Sequence, residues 1–185
     1  MIIDYIKPDA EFFFSFNCPY SYLSWELLRK KMKNCSGKLS PIGLSTAGSS
    51  LTTYRELWSE TRWEKLAMYG RELDVIIKRP TVYYDSSLAN NYINSSNSKF
   101  LEQYISCIFK AVFTDSIDIS NNQTLFDYLN KNSVNNNLNL VNNSSAIESV
   151  DAELRMLPTI KVANDNLIGL ITESIFSRML KHHLD

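Results

Sequence analysis

The chain has 185 residues, of which 44% are hydrophobic and 21% are charged, and its formal net charge is -1. This length and composition suit one folded domain with a sizeable core and do not suit a disordered chain or a fibre. A nearly neutral chain without a separate block of Lys and Arg is a poor binder of nucleic acid or of an anionic membrane. Its apolar runs also fall short of the roughly 20 residues that span a bilayer.

Three cysteines lie far apart in the sequence, at Cys18, Cys35 and Cys107. An odd number at wide spacing does not form a disulfide framework, and packing accounts for the second and third. No Cys or His partners stand at metal-ligand spacing, so no metal site is expected. The first residues lack the basic segment and long apolar run of a signal peptide. We therefore expect a protein of the reducing cytoplasm.

The N-terminal part predicts a β-α-β unit. Residues 10–16 form an almost continuous apolar run, which is typical of a strand buried on both faces of a sheet. Pro19 suits the first turn of a helix, and apolar residues then recur at helical spacing to about residue 33. Residues 39–44 predict a second strand, and the short crossover implies that it pairs in parallel with the first.

The middle of the chain is helical in character. Apolar residues among charges predict helices at 52–73, 100–113 and 121–129, and residues 77–84 are predicted to be an extended loop. The asparagine-rich residues 130–145 are predicted to be a surface segment rather than a domain linker.

The C-terminal part returns to α/β character. Leu157-Pro158-Thr159 leads into a predicted strand at 160–162, followed by a turn at 164–166 and a second strand at 167–170. Thr172 is suited to cap a final helix. The predicted buried face of that helix consists of Ile175, Phe176, Met179 and Leu180.

A β-α-β unit, a run of helices and a β-β-α unit form the layout of a split thioredoxin fold. We therefore predict an α/β protein with a thioredoxin-like core at residues 1–48 and 150–185. The predicted all-helical domain at residues 49–149 is inserted between the two halves of that core.

Cys18 falls between the end of the first strand and the start of the first helix. There the helix dipole and unpaired N–H groups would lower the pKa of a thiol, although a lone cysteine can equally be a small buried hydrophobe. Pro158 favours the reactive interpretation, because thioredoxin-like folds hold a cis-proline against the active-site thiol. A trans proline that opens a strand is the alternative.

A family resemblance begins at residues 14–23, which read Phe-Ser-Phe-Asn-Cys-Pro-Tyr-Ser-Tyr-Leu. This segment resembles the corresponding one of the kappa-class glutathione transferases and 2-hydroxychromene-2-carboxylate isomerases, where a serine takes the place of Cys18. Residues 109–113 resemble a second segment of the isomerases, and the residues from Leu157 onward resemble the C-terminal part of the family. The DsbA-type disulfide oxidoreductases, which share an inserted helical domain, are similar at a greater distance.

The resemblance implies a binding site for glutathione, as a co-substrate, at the start of the first helix. In the family, the serine hydrogen-bonds the glutathione sulfur and keeps it as a thiolate. The backbone before the cis-proline pairs with the cysteinyl part as an added strand would, and an acidic residue and its neighbour at the start of the last helix bind the γ-glutamyl end. The resemblance thus implies two catalytic residues, Cys18 and Ser21. The implied glutathione-binding residues are Pro19, Tyr20, Leu157, Pro158, Thr172, Glu173 and Ser174.

Three departures from the family bear on the chemistry. Cys18 can form a mixed disulfide with glutathione, which a serine cannot. Ser21 stands where a Cys-x-x-Cys pair would have its second cysteine, so an internal disulfide is impossible across this motif. The family's Asp-Arg pair is Glu173-Ser174 here, and the missing arginine removes a charge-assisted contact worth about 1.5–3 kcal/mol.

Three functions follow from these features. The first is a glutathione-dependent isomerase or transferase that acts on a small electrophilic, conjugated or aromatic substrate. The second is a monothiol thiol-disulfide oxidoreductase with Cys18 as the nucleophile. The third is a binding or redox-sensing module without catalysis. Members of the family are often dimers, so a homodimer is a further expectation.

Overall fold

The computed structural model describes residues 10–32, 39–44, 59–80, 84–95, 100–134, 157–162, 165–170 and 172–184. These residues form four strands and six helices. The strands are β1 (Ala10–Phe14), β2 (Leu39–Gly43), β3 (Thr159–Val162) and β4 (Asp165–Ile168). The helices are α1 (Pro19–Met32), α2 (Glu60–Glu72), α3 (Ser87–Ser95), α4 (Leu101–Phe113), α5 (Asn122–Lys131) and α6 (Glu173–Leu184).

The strands form one sheet in the order β2-β1-β3-β4. β1 pairs in parallel with β2 and antiparallel with β3, so that Phe13 stands opposite both Ile42 and Thr159. β3 and β4 form an antiparallel hairpin. The predicted β-α-β and β-β-α halves and the helices between them are therefore confirmed.

The helix α4 packs its buried face against the strand that leads to Cys18. The ring of Phe109 lies 5.5 Å from that of Phe14, 5.0 Å from that of Phe16 and 5.6 Å from that of Tyr22. All four side chains belong to one hydrophobic cluster that also includes β3 and α6. This shared core holds β1 and the start of α1, and so it also holds the turn between them.

The helix α3 is absent from the prediction, which has no element between residue 84 and residue 100. Its start carries a local capping arrangement, because the backbone N–H of Ser87 donates to Asp85 Oδ1 at 2.9 Å. Its buried residues Ala89, Tyr92 and Ile93 then follow a helical spacing. The apolar stripe of this helix is short and lies in a sequence rich in Asn and Ser, so the sequence gives only a weak helical pattern. Tertiary packing stabilises the helix instead.

Two strand boundaries differ from the prediction. β1 ends at Phe14 rather than at residue 16, because the chain turns at Ser15 towards α1. β4 begins at Asp165, which pairs with Val162, so the predicted turn at 164–166 is wrong at its last two residues. The strand ends where Gly169 adopts a φ of 84°, a conformation that glycine accepts without steric cost.

The predicted buried face of the last helix is correct at Phe176 and Met179 and wrong at Ile175, which is 46% exposed. Successive residues of a helix are about 100° apart, so Ile175 faces away from the side on which its neighbour packs. The side chain of Leu180 lies outside the described residues, as do Cys35, the first part of the helix predicted at 52–73 and most of the asparagine-rich segment.

Candidate functional site

Cys18 lies in the turn between the carboxyl end of β1 and the first residue of α1, Pro19. Its backbone N–H donates to the Ser15 carbonyl at 3.1 Å, and its own carbonyl accepts the N–H of Tyr22 at 3.2 Å. The second bond is the first one of the helix, which makes Cys18 its N-terminal cap residue. Proline at the next position costs no hydrogen bond there, since that N–H would have no intrahelical partner.

Pro158 brings a second segment to the thiol. The Leu157–Pro158 peptide bond is cis, and Cys18 Sγ donates to the Leu157 carbonyl oxygen at 3.6 Å. The Pro158 carbonyl in turn accepts the N–H of Gly169 at 2.8 Å, which ties this segment to the end of β4. The predicted cis-proline beside the thiol is thus confirmed.

The Cys18 thiol is 2% exposed. Burial raises its pKa above the ordinary value for cysteine, and this cause outweighs hydrogen bonds from the Ser21 hydroxyl and from the N–H groups of Ser21 and Tyr20, which lower it. The lowered pKa expected at a helix N-terminus is therefore wrong. A raised pKa favours the protonated thiol, which can donate to the Leu157 carbonyl.

Ser21 is the third residue of α1 and is fully buried. Its Oγ accepts the backbone N–H of Ser15 at 3.3 Å, and its hydroxyl is within reach of Cys18. Asn17, also buried, donates from Nδ2 to the Tyr84 carbonyl at 2.7 Å. The turn that carries Cys18 is consequently tied both to α1 and to the segment that precedes α3.

Tyr20 is half-buried at the start of α1. Burial raises the pKa of its phenol, and the positive charge of Arg62 on α2 acts against that rise. Arg62 in the first turn of α2 is therefore near Tyr20.

The residues at the start of α6 are arranged differently from those around Cys18. Thr172 caps this helix, because its Oγ1 accepts the N–H of Ile175 at 3.4 Å, and it lies 3.1 Å from Ser174 Oγ. The carboxylate of Glu173 pairs with the ammonium of Lys31, in the last turn of α1. That turn is about 20 Å along the helix axis from Cys18, so the ion pair directs Glu173 away from the thiol.

The buried polar residues that were not among the predicted site residues include Asn17, Ser86 and Asn90. Asn17 is adjacent to Cys18 in the sequence, which is the one signal that pointed to it. Ser86 and Asn90 belong to the start of α3, and they became visible only with that helix.

The described residues away from Cys18 form no second candidate for a reactive thiol, a metal site or a membrane span. Cys107 is buried in α4, and burial raises its pKa to about 11. Within the described ranges no three His, Cys, Asp or Glu side chains are close enough to share a metal ion. None of the helices described here combines the length and apolarity that crossing a membrane requires.

No protein-family model matches the chain, and no curated protein matches its sequence. Solved structures do match it over most of its length. A 2-hydroxychromene-2-carboxylate isomerase aligns with 94% of this chain and 96% of its own, with a TM-score of 0.65 and 16% identity. A probable DsbA oxidoreductase from Streptomyces coelicolor aligns with 95% of this chain and 89% of its own, with a TM-score of 0.73 and 9% identity.

A candidate protein disulfide isomerase from Nitrosomonas europaea aligns with 95% of this chain and 97% of its own, with a TM-score of 0.64 and 12% identity. At these identities the likeness concerns the backbone alone. Together with the sheet order, the cis-proline and the helices between the two halves of the sheet, it shows that the chain has a DsbA-like thioredoxin fold with a helical insertion.

Proposed function

We propose that this protein is a glutathione-dependent enzyme of the isomerase or transferase type, which acts on a small electrophilic substrate at the site around Cys18. Glutathione would supply a thiolate that adds to an electrophilic carbon of the substrate. In this proposal Cys18 holds the glutathione sulfur by hydrogen bonding and forms no covalent bond itself.

The observation that carries the proposal is the hydrogen bond from Cys18 Sγ to the Leu157 carbonyl oxygen, at 3.6 Å. A thiol that donates is protonated, in keeping with the raised pKa of this buried group. Rotation about the Cβ–Sγ bond would turn the same hydrogen towards a bound thiolate. Cys18 would then do what the serine does in the resembling family, because both side chains present one X–H donor at a helix N-terminus.

The residues fit the cysteinyl part and the γ-glutamyl end of glutathione unequally. Cys18 and the backbone of Leu157, before the cis-proline, stand together where the sulfur and the cysteinyl part would bind. Glu173, expected to bind the γ-glutamyl end, is engaged by Lys31 near the other end of α1. The proposed binding therefore relies on the cysteinyl part of glutathione.

A second candidate function is monothiol-disulfide exchange at Cys18. It is favoured by the Ser21 hydroxyl and the N–H groups of Tyr20 and Ser21, all of which would stabilise a thiolate once it formed. The Cys18 thiolate would attack a disulfide, form a new S–S bond and release one sulfur as a thiolate. A glutathione thiolate would then displace Cys18 from the mixed disulfide.

Intact-mass analysis after incubation with oxidised glutathione separates the two candidates. The proteins compared are the wild type, Cys18→Ser and, as a matched control at the other described buried cysteine, Cys107→Ser. We expect that no glutathione adduct depends on Cys18. In a separate assay, we expect both the wild type and Cys18→Ser to conjugate glutathione to 1-chloro-2,4-dinitrobenzene.

Two results would contradict this proposal. A single adduct on the wild type and on Cys107→Ser but not on Cys18→Ser, with turnover of bis(2-hydroxyethyl) disulfide, would make exchange the function. If neither reduced nor oxidised glutathione binds and neither assay shows turnover, a non-catalytic module would be the remaining reading.

A further inference from the structure

Four buried polar atoms, in the turn before α1 and at the start of α3, have no hydrogen-bond partner among the described residues. The atoms are Asn17 Oδ1, Ser86 Oγ and both the Oδ1 and Nδ2 of Asn90. The three residues are 0%, 1% and 6% exposed. A buried polar atom that lacks a partner costs stability, so a group of them needs an explanation.

Two hydrogen bonds and one close contact place the three residues at one edge of the sheet. Asn17 follows β1 and donates from Nδ2 to the Tyr84 carbonyl, two residues before Ser86. The N–H of Asn90 donates to the Ser86 carbonyl at 2.9 Å, which puts both residues in the first turn of α3. Gly43, the last residue of β2, lies so close to Asn90 that a Cβ on it would be 2.6 Å from Asn90 Oδ1.

This edge is the one at which the parallel strands β1 and β2 have their carboxyl ends. In open α/β sheets, ligands bind outside the carboxyl ends of parallel strands. Cys18 follows Asn17 directly in the chain, so this edge of the sheet also carries the thiol. Because Gly43 has no side chain, the Asn90 amide can lie directly against the end of β2.

We propose that Asn17, Ser86 and Asn90 form a polar subsite, which binds an uncharged amide or carbonyl group of the substrate next to Cys18. Ser86 Oγ and Asn90 Nδ2 would donate to a carbonyl oxygen, while Asn17 Oδ1 would accept from an N–H. The three side chains carry no charge, and burying a charged group against them would cost far more than burying a neutral one. This subsite rests on the proposed function, since it selects the substrate of that site.

Two glutathione conjugates test the subsite by calorimetric binding. S-(carbamoylmethyl)glutathione carries a neutral primary amide on sulfur, and S-propylglutathione is its apolar counterpart of similar size. We expect the wild type to bind the amide conjugate about threefold to tenfold more tightly. Ser86→Ala and Asn90→Leu should each reduce that ratio to about one, whereas Asn130→Leu, at an exposed asparagine of α5, should preserve it.

Thermal unfolding of the ligand-free variants provides the second readout. Because the polar atoms of Ser86 and Asn90 lack partners when no ligand is bound, Ser86→Ala and Asn90→Leu should unfold at the wild-type temperature or above it. A lowered unfolding temperature in both variants would mean that buried water already satisfies these atoms, and it would overturn the subsite.

The binding outcomes separate the two proposals. Equal affinity of the wild type for the two conjugates would overturn the subsite and leave the proposed function standing. If the wild type binds neither conjugate, the proposed function fails and the subsite fails with it.

Discussion

Replacing Phe109 with alanine is expected to lower the free energy of unfolding by about 3–5 kcal/mol. The side chain is fully buried, and its ring packs against Phe14, Phe16 and Tyr22. Truncation would remove the apolar area and leave a cavity between α4 and β1 that rigid aromatic neighbours cannot fill. Chemical denaturation followed by circular dichroism measures the loss.

The matched control is Phe126→Ala on α5, where the phenylalanine is 39% exposed. It should cost much less, because this side chain is already partly in contact with water whereas that of Phe109 is fully buried. Both variants should unfold in one transition, since α4 and β1 share one core. Equal costs for the two variants, or separate unfolding of the helical part, would contradict the packing described here.

Replacing Cys18 with alanine is expected to lower kcat/KM for glutathione conjugation by about 10-fold to 150-fold, the loss of one hydrogen bond to a charged sulfur. Cys18→Ser should retain most of the activity, because a hydroxyl donates in the place of the thiol. The measurement is the initial rate of conjugation to 1-chloro-2,4-dinitrobenzene with varied glutathione. Equal activity of Cys18→Ala and the wild type would remove Cys18 from the mechanism, and loss of activity in both variants would point to a nucleophilic sulfur.

The fold was predictable because its signals are local. The apolar run of β1 and the proline at the start of α1 identify the β-α-β unit, and Pro158 marks the start of the second half. The helix α3 was missed, since a short segment with several Asn and Ser residues becomes helical through the burial of Tyr92 and Ile93.

The sequence predicted part of the arrangement around Cys18 but not the electrostatics of the thiol. Cys18 and the cis-proline meet as expected, but the sequence does not show how deeply the thiol is buried. Burial changes the direction of the pKa shift relative to the helix-terminus argument. The ion pair of Glu173 with Lys31 joins residues far apart in the chain, so it too depends on the assembled fold.

The raised pKa of Cys18 has a consequence for stability. The unfolded thiol loses its proton at a lower pH than the folded one, so this group stabilises the folded state below the pKa of the unfolded thiol. That contribution is lost as the pH rises through the folded pKa. Stability should thus begin to fall near the pKa of the unfolded thiol and stop falling on this account once the folded thiol has ionised.

The central claim is that Cys18 acts as a neutral hydrogen-bond donor, and the pH dependence of its alkylation tests this most directly. Iodoacetamide reacts with the thiolate, and peptide mass analysis reads Cys18 separately from the other cysteines. The account predicts that Cys18 reacts more slowly than free cysteine at neutral pH and that its rate still rises above the free-cysteine pKa of about 8.5. A rate that exceeds that of free cysteine and levels off at or below about pH 7 would show a stabilised thiolate and contradict the claim.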